Sequence, residues 1–465
     1  MKLTDAFKPL DDKKFDMFHI KSLLTTGMGV FTDSYLLSSI SLVILDVMST
    51  FEITKSNPSY TFWLGVLDGT VFIGASLGAI IFGILANKGR KTFYGVDVAL
   101  MTIGALLQAF VTSPTELAIV RFLVGIGTGA DYVLSPLIMA EHSNAKDRGK
   151  LIALGFGLMW SLGAIIASLL YLGISPFVTP STLWRIILAA GAIPAASVIY
   201  LRRKVPETTR YLLRIKGDVK HFETVVKQIA GKTVNVNEDL KDKNPLLMYF
   251  KTSGRIFAVA AILWFLYDLT GYANGLFGPT LIARSIGIYN PAIFSLIVSA
   301  VFGFPGKFTG ISLIDKVGRK PLQALGSLGE GIFLVAFALL LPKEAFLPAG
   351  LLLVIYGLHD FTGSVGPGII STAGMLGVEL APTKVRSIVQ AITVASGRTG
   401  AAIASFLFPV LFISVSKEVA MMFFAILMLI AAALTWFGVP ETKGKPLELA
   451  SQEEGIKENI TIKGE

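Results

Sequence analysis

The sequence predicts an all-α membrane protein with twelve transmembrane helices in two pseudo-symmetric six-helix bundles. Three observations lead there: an apolar composition, a dozen bilayer-length apolar windows, and a chain that repeats itself at half its length. Of 465 residues, 53% are hydrophobic and 16% charged, where soluble domains carry about 25% charged residues. A spanning helix needs about 20 apolar residues. Such windows fall at 22–47, 63–86, 93–112, 116–140, 151–174, 183–202, 256–284, 291–313, 322–341, 346–376, 387–414 and 417–438. The runs are continuous, whereas a membrane β-strand alternates over about 10 residues, so helices are the better reading.

The net charge of +9 is sorted by loop. Lys88, Arg90 and Lys91 fall between windows two and three, and Lys146, Arg148 and Lys150 between four and five. Arg202, Arg203 and Lys204 follow window six, and Lys316, Arg319 and Lys320 follow window eight. The alternate loops "TSPTE" and "GISPFVTPST" contain no Lys or Arg. The positive-inside rule then places both termini in the cytoplasm of a multi-pass plasma-membrane protein. The basic loops face anionic lipid, and nucleic acid is not an expected partner. Zero cysteines exclude disulfides, thiolate metal sites and thiol chemistry. The opening "MKLTDAFKPLDDKKFDMFHI" mixes both charge signs without an apolar core, so it reads as a cytosolic tail and not a signal peptide.

Short strings recur in order near one offset. "VPET" stands at 205–208 and 439–442, and "GRK" at 89–91 and 318–320. A glutamate seven residues before an arginine occurs as Glu141/Arg148 and Glu379/Arg386, and Asp33 and Asp268 occupy matching first spans. The expected organisation is a bundle over 1–204, a cytoplasmic linker over 205–250, a second bundle over 251–440 and a tail over 441–465. Such parallel repeats are related by an axis along the membrane normal. The linker reads as a flexible tether or as one or two amphipathic surface helices, around Leu212 and Phe222 to Ile229.

"RFLVGIGTGADY" (121–132) carries Gly125, Gly127 and Gly129 but lies inside span four. A dinucleotide fingerprint needs a strand before it, so close helix packing is the better explanation. The loop "GISLIDKVGRK" (310–320) resembles the signature between spans two and three of each half in the major facilitator superfamily. The resemblance implies that Asp315 and Arg319 help hold a cytoplasmic gate. The first-half copy, "FGILANKGRK" (82–91), supplies Arg90 but has Asn87 or Ala86 where the acid belongs. Glu141 with Arg148 and Glu379 with Arg386 are expected as further gate pairs.

"GIGTGADYVLSPLIMAEHS" (125–143) is similar to the fourth-span signature of phosphate:proton symporters within that superfamily, through Gly125, Gly127, Gly129, Asp131, Tyr132, Leu134, Ser135 and Glu141. "FTDSYLL" (31–37) looks like the first-span Thr-Asp-Ser-Tyr of that family. "WFLYDLTGY" carries its seventh-span residues as Trp264, Asp268 and Tyr272, and "ASGRTGA" (395–401) resembles its eleventh-span Ser-Gly-Lys with Arg398 at the lysine. The resemblance covers essentially the whole chain. It departs at Trp160, where the family has a fifth-span Gln, and at Gly368, where it has a tenth-span Asn. These departures make the pocket less suited to a small, highly hydrated ion, so a carboxylate or a sugar stays in play.

Residue spacing supports one shared site. Trp264, Asp268 and Tyr272 step by four and share a helix face, as do Thr128, Asp131 and Ser135. Ionisable groups at this depth face the bundle interior and pair with one another. A set of helix-locking ion pairs with no transport role is the plainer alternative. A desolvated carboxyl is readily neutral and can carry a proton, and a guanidinium fork suits a bidentate oxyanion. The expectation is therefore a proton-coupled secondary transporter of a small polar solute, with inorganic phosphate or a similar oxyanion first. A sugar or carboxylate carrier, or a low-flux nutrient sensor, is the alternative. Asp33, Asp131 and Asp268 are expected to couple protons. Tyr132, Trp160, Trp264, Asp268, Tyr272 and Arg398 are expected to bind substrate.

No enzymatic nucleophile–base pair, metal cluster or Walker loop is evident, so no cofactor or metal is expected; the partners are substrate, protons and lipid, and the protein is expected to be a monomer. His359 and Asp360 in span ten read as an extra proton relay or as a structural pair. Arg121 pairs with an acid or anchors to headgroups, while Asp68 and Lys307 have no assigned partner. "NIT" (459–461) matches a glycosylation acceptor but falls in the cytoplasmic tail, so no modification is expected.

Overall fold

The structure is a computed structural model that describes residues 2–454. The Asn459-Ile460-Thr461 acceptor and the rest of 455–465 lie outside the described residues. Among the described residues ten helices are long and apolar enough to cross a bilayer: Met17–Thr50, Tyr60–Lys88, Pro114–His142, Arg148–Ile174, Pro180–Lys204, Leu246–Ser285, Pro291–Val317, Arg319–Glu344, Thr383–Val415 and Lys417–Gly438. Two shorter helices, Val96–Gln108 and Ala349–Val365, complete the twelve expected spans as the third and the tenth.

Helix starts follow local chemistry. Asp16 accepts from the N–H groups of Phe18 and His19, and the His19 ring returns the bond in a capping box. Ser113 caps a helix with Pro114 in its first turn, Asn290 caps one with Pro291 there, and Ser416 caps the last span.

The tenth span departs from the continuous 346–376 window. It stops at Val365 and resumes as the short helices Pro367–Ile370 and Met375–Glu379. Pro367 supplies no N–H and disfavours helical geometry at Gly366. A side chain at Gly366 is also excluded, since its Cβ would stand 2.2 Å from the Leu322 carbonyl. The third span is shorter than its 93–112 window because Gly95 turns the chain at φ 104° before it.

Spans 2 and 4 pack backbone to backbone through Gly125 and Gly129. A Cβ there would sit 1.9 Å from the Val71 carbonyl and 2.0 Å from that of Ala75, which is the packing role expected of this glycine run. Between the halves, span 2 packs on span 11 and span 5 on span 8.

The joining segment contains packed helices, while 231–245 is irregular. Val219–Ala230 presents Phe222, Val225, Val226 and Ile229, a one-faced i, i+3, i+4, i+7 stripe, to Leu3, Phe7 and Leu10 of the helix Leu3–Asp11. Burying a side chain such as Phe222 is worth about 1.5–3 kcal/mol, and that apolar face decides against a tether.

The duplication is visible in geometry. Glu207 of the first "VPET" accepts from the Lys91 N–H at 3.2 Å, and Glu441 of the second accepts from the Arg319 and Lys320 N–H groups, both at 3.1 Å. Each glutamate thus caps the turn that opens at its own half's "GRK". The glycines beside them, Gly89 and Gly318, have φ of 149° and 115°, which favours glycine at both places.

Candidate functional site

A cavity of about 170 Å³ lies between the two halves. From spans 1, 4 and 5 it is lined by hydroxyls, aromatics and apolar groups, including Ser38, Ser41, Tyr132 and Trp160. Among the described residues, every charged group in its wall comes from the second half: Asp268, Lys307, Glu330, Asp360 and Arg398.

Arg398 is the hub. Its Nη1 donates to Asp268 Oδ2 at 3.0 Å and to the Tyr272 hydroxyl at 2.6 Å. The guanidinium carbon lies 4.1 Å from the Tyr132 ring centre, within cation–π range. Trp160 meets Tyr272 edge-on at 6.1 Å, so first-half aromatics wrap a second-half cation. Among the described residues Nε and Nη2 of Arg398 make no hydrogen bond although both are buried. Unmet guanidinium donors are costly, and a planar guanidinium suits two oxygens of an oxyanion.

Trp264 does not line the cavity. It is buried behind it, 6.1 Å from the Tyr132 ring, and Gly397 leaves the room it occupies. A Cβ at Gly397 would come within 2.3 Å of the indole. The spacing that put Trp264, Asp268 and Tyr272 on one face is correct, but the cavity reaches only the last two.

Asp33 and Asp131 were expected in the same chamber, and neither lines it. Asp131 is held by Arg202 at 2.7 Å, Arg202 also pairs with Asp97, and Ser135 donates to the Asp131 carboxylate. All three charged side chains are fully buried inside the first half. Arg202, which loop charge counting placed at the membrane surface, instead turns inward because two buried carboxylates need a cation. Asp33 is buried too, near Thr128 and Asp131, and among the described residues neither of its oxygens makes a well-formed hydrogen bond. Arg121 is likewise buried and donates to the Leu67 carbonyl at 2.6 Å, with Asp68 as its nearby acid; this overturns headgroup anchoring.

The expected gate residues gather at the face that carries both termini, but with exchanged partners. Glu141 does not pair with Arg148, nor Glu379 with Arg386. Glu141 accepts from Arg386 at 3.0 Å, and Arg148 donates to Glu379 at 2.8 Å. Each acid thus takes the arginine of the other half. Arg90 adds a 3.5 Å contact to Glu141 and a hydrogen bond to the Thr383 carbonyl across the boundary. Arg319 binds Glu379 at 3.1 Å and Asp315 at 2.7 Å, and Asp315 reaches over to the Lys150 N–H. Asn87 substitutes for the missing first-half acid: it accepts from Arg90 at 3.2 Å and from Ser387 of the other half at 3.0 Å. Burial pushes the Glu379 carboxyl up, but the guanidiniums of Arg319 and Arg148 outweigh it and hold the group at about 2.

Tyr267, Lys307 and Glu330 are among the wall groups that lie outside the sequence-based site. Lys307 had drawn notice only for lacking a partner. Glu330 carried a usable signal, a lone carboxylate inside the apolar run "SLGEGIFLV". A Cβ at Gly368 would lie 2.9 Å from the Tyr267 hydroxyl, so that oxygen occupies the space a larger side chain at 368 would need.

Two pseudo-symmetric six-helix lobes with a charged cavity between them define a membrane transporter of the major facilitator fold. The chain belongs to the family described as Sugar (and other) transporter, whose profile matches residues 25–453. It is 30% identical to a probable inorganic phosphate transporter (1-6) of Arabidopsis thaliana over 98% of either chain. It is also 31% identical to a low affinity inorganic phosphate transporter (4) of Medicago truncatula, over 98% of this chain and 96% of that one. Among solved structures, the proton:xylose symporter XylE bound to 6-bromo-6-deoxy-D-glucose superposes with a TM-score of 0.80 at 22% identity, covering 94% of this chain and 98% of that one. XylE from E. coli in its inward-open conformation gives 0.69 at 22% identity, covering 94% and 99%.

Proposed function

We propose that the chain is a proton-coupled secondary active transporter that carries inorganic phosphate or a similar oxyanion by alternating access. The observation that carries this reading is Arg398: a buried guanidinium in the cavity wall, tied by one nitrogen to Asp268 and Tyr272, with two nitrogens free of hydrogen bonds. The names of the full-length relatives support phosphate as the substrate.

In this reading the lobes 1–204 and 251–440 rock about the cavity as a monomer in the plasma membrane, with both termini cytoplasmic. The exchanged pairs Glu141–Arg386 and Arg148–Glu379 hold the cytoplasmic side shut. Tyr132, Trp160 and Tyr272 place the anion against Arg398, with Trp264 supporting Tyr132 from behind. Asp268 takes a proton as the anion competes for Arg398. Asp33, buried beside the Asp97–Arg202–Asp131 group, relays protons or sets lobe charge. The chain binds and moves solute and is not an enzyme.

The test is uptake of labelled phosphate into proteoliposomes under an imposed inward proton gradient, with sugars and carboxylates as competitors. Accumulation that collapses with the gradient supports the proposal. Gradient-driven sugar accumulation without phosphate uptake would move the assignment to the second reading, a sugar carrier. That reading is favoured by Trp160 and the hydroxyl-lined first-half wall.

A further inference from the structure

The second half of the cavity contains a charged group separate from Arg398 and Asp268. Lys307 on span 8, Glu330 on span 9 and Asp360 on span 10 all reach the same cavity wall. Lys307 and Glu330 are 6% and 3% exposed. Among the described residues Lys307 has no ion pair within 4.0 Å and no hydrogen bond; its charge is opposed at longer range by Asp360. Glu330 also faces Asp360, and its Oε2 is buried without a partner.

The packing is shaped around the two carboxyls. A Cβ at Gly303 would lie 2.6 Å from Asp360 Oδ2, and one at Gly363 would lie 2.5 Å from Glu330 Oε2. Small residues on spans 8 and 10 therefore leave the space that the carboxyls fill. The remaining titratable neighbours are the Tyr267 and Tyr356 hydroxyls and the His359 ring, whose Nδ1 is committed to the Tyr356 carbonyl. Across the cavity the first half presents no charge. The other charges in the cavity wall are Asp268 and Arg398, already paired with each other.

One ammonium facing two carboxyls in a buried wall reaches zero net charge, with Lys307 protonated, when one carboxyl is ionised and the other neutral. Two ionised carboxylates beside a single cation that neither contacts directly are strongly disfavoured at low dielectric. We infer that Glu330 and Asp360 share a transported proton and, with Lys307, form a second proton-coupling centre of the carrier. The inference rests on the proton-coupled reading above. With the proton bound, the cluster is neutral and the cavity accepts an anion. When the proton leaves to water on the opposite side, the cluster becomes singly negative and repels the anion out. No bond is made or broken beyond the O–H that the proton leaves.

The experiment measures the proton-to-phosphate ratio from reversal potentials in proteoliposomes, for wild type, Glu330→Gln, Asp360→Asn and Asp268→Asn. The ratio is expected to fall by one proton in Glu330→Gln. Phosphate counterflow without a proton gradient should persist in that variant, which shows that it is folded and binding. Infrared difference spectra of the wild type on phosphate addition should show a protonated-carboxyl band that Glu330→Gln removes and Glu330→Asp retains. An unchanged ratio together with an unchanged carboxyl band overturns the inference while leaving phosphate transport intact. Absence of phosphate counterflow in the wild type would instead overturn the functional reading.

Discussion

Glu141 and Arg386, from opposite halves of the chain, meet at 3.0 Å with both side chains fully buried, and Arg148 and Glu379 repeat the relationship at 2.8 Å. Duplicated sequence made each half carry one acid and one base at the same place. Packing of the lobes joins each acid to the other lobe's base, so both bonds cross the boundary between the halves at this face. Arg210, Glu448 and Asp11 extend the network to the linker and the tail.

Breaking one of these pairs should open the face. Removing one partner of a buried ion pair costs about 3–5 kcal/mol, and Arg386→Ala leaves Glu141 only the longer contact to Arg90. The chain has no cysteine, so one introduced thiol reports cleanly. With Ile369→Cys, which replaces a side chain packed where Gly157 of the other half approaches, Arg386→Ala should raise the maleimide labelling rate at least tenfold. An unchanged rate would mean that the pair does not hold the lobes together.

Acid should weaken the same face in a calculable direction. The Glu379 carboxyl sits at about 2 against an ordinary 4.5, so between these values the unfolded chain binds the extra proton. The stabilisation is complete above about pH 4.5 and lost as pH falls toward 2. Melting temperatures from pH 7 to pH 3 should therefore fall more steeply for wild type than for Glu379→Gln. Parallel curves would refute the assignment.

Substrate affinity should depend on the shape of the Arg398 side chain as well as its charge. Losing a buried hydrogen-bonded charge costs about 2–5 kcal/mol, or roughly 30-fold to several thousandfold in Kd. Arg398→Ala is expected to abolish measurable phosphate binding by calorimetry. Arg398→Lys keeps the charge without the fork and should fall between the two. A lysine variant that binds as tightly as wild type would show that the planar fork is not what selects the anion.

The linker should behave as packed structure. Phe222 is fully buried against Phe7 with ring centres 5.7 Å apart, and truncating such a ring costs about 3–5 kcal/mol. Phe222→Ala should expose 205–250 to limited proteolysis while the spans stay intact. Resistance equal to that of wild type would argue that the segment has no stabilising contact with the N-terminal helix.

Much of this protein was legible one residue at a time. The span count follows from apolar length, because a backbone in hydrocarbon must satisfy its hydrogen bonds within each helix. The lobes follow from the paired "VPET" and "GRK" strings, and the meeting of Arg398 with Asp268 and Tyr272 from helical spacing plus the cost of a lone buried charge. The other pairings were not legible. Sequence shows which side chains carry charge, but not which of several acids a base will reach once helices cross. Asp131 therefore went to Arg202 and not to the chamber, and the gate acids exchanged partners between halves. Lys307, Glu330 and Asp360 come from three different spans and share no periodicity. Only the tertiary packing of those spans, with Gly303 and Gly363 leaving room for two carboxyls, could bring them to one wall.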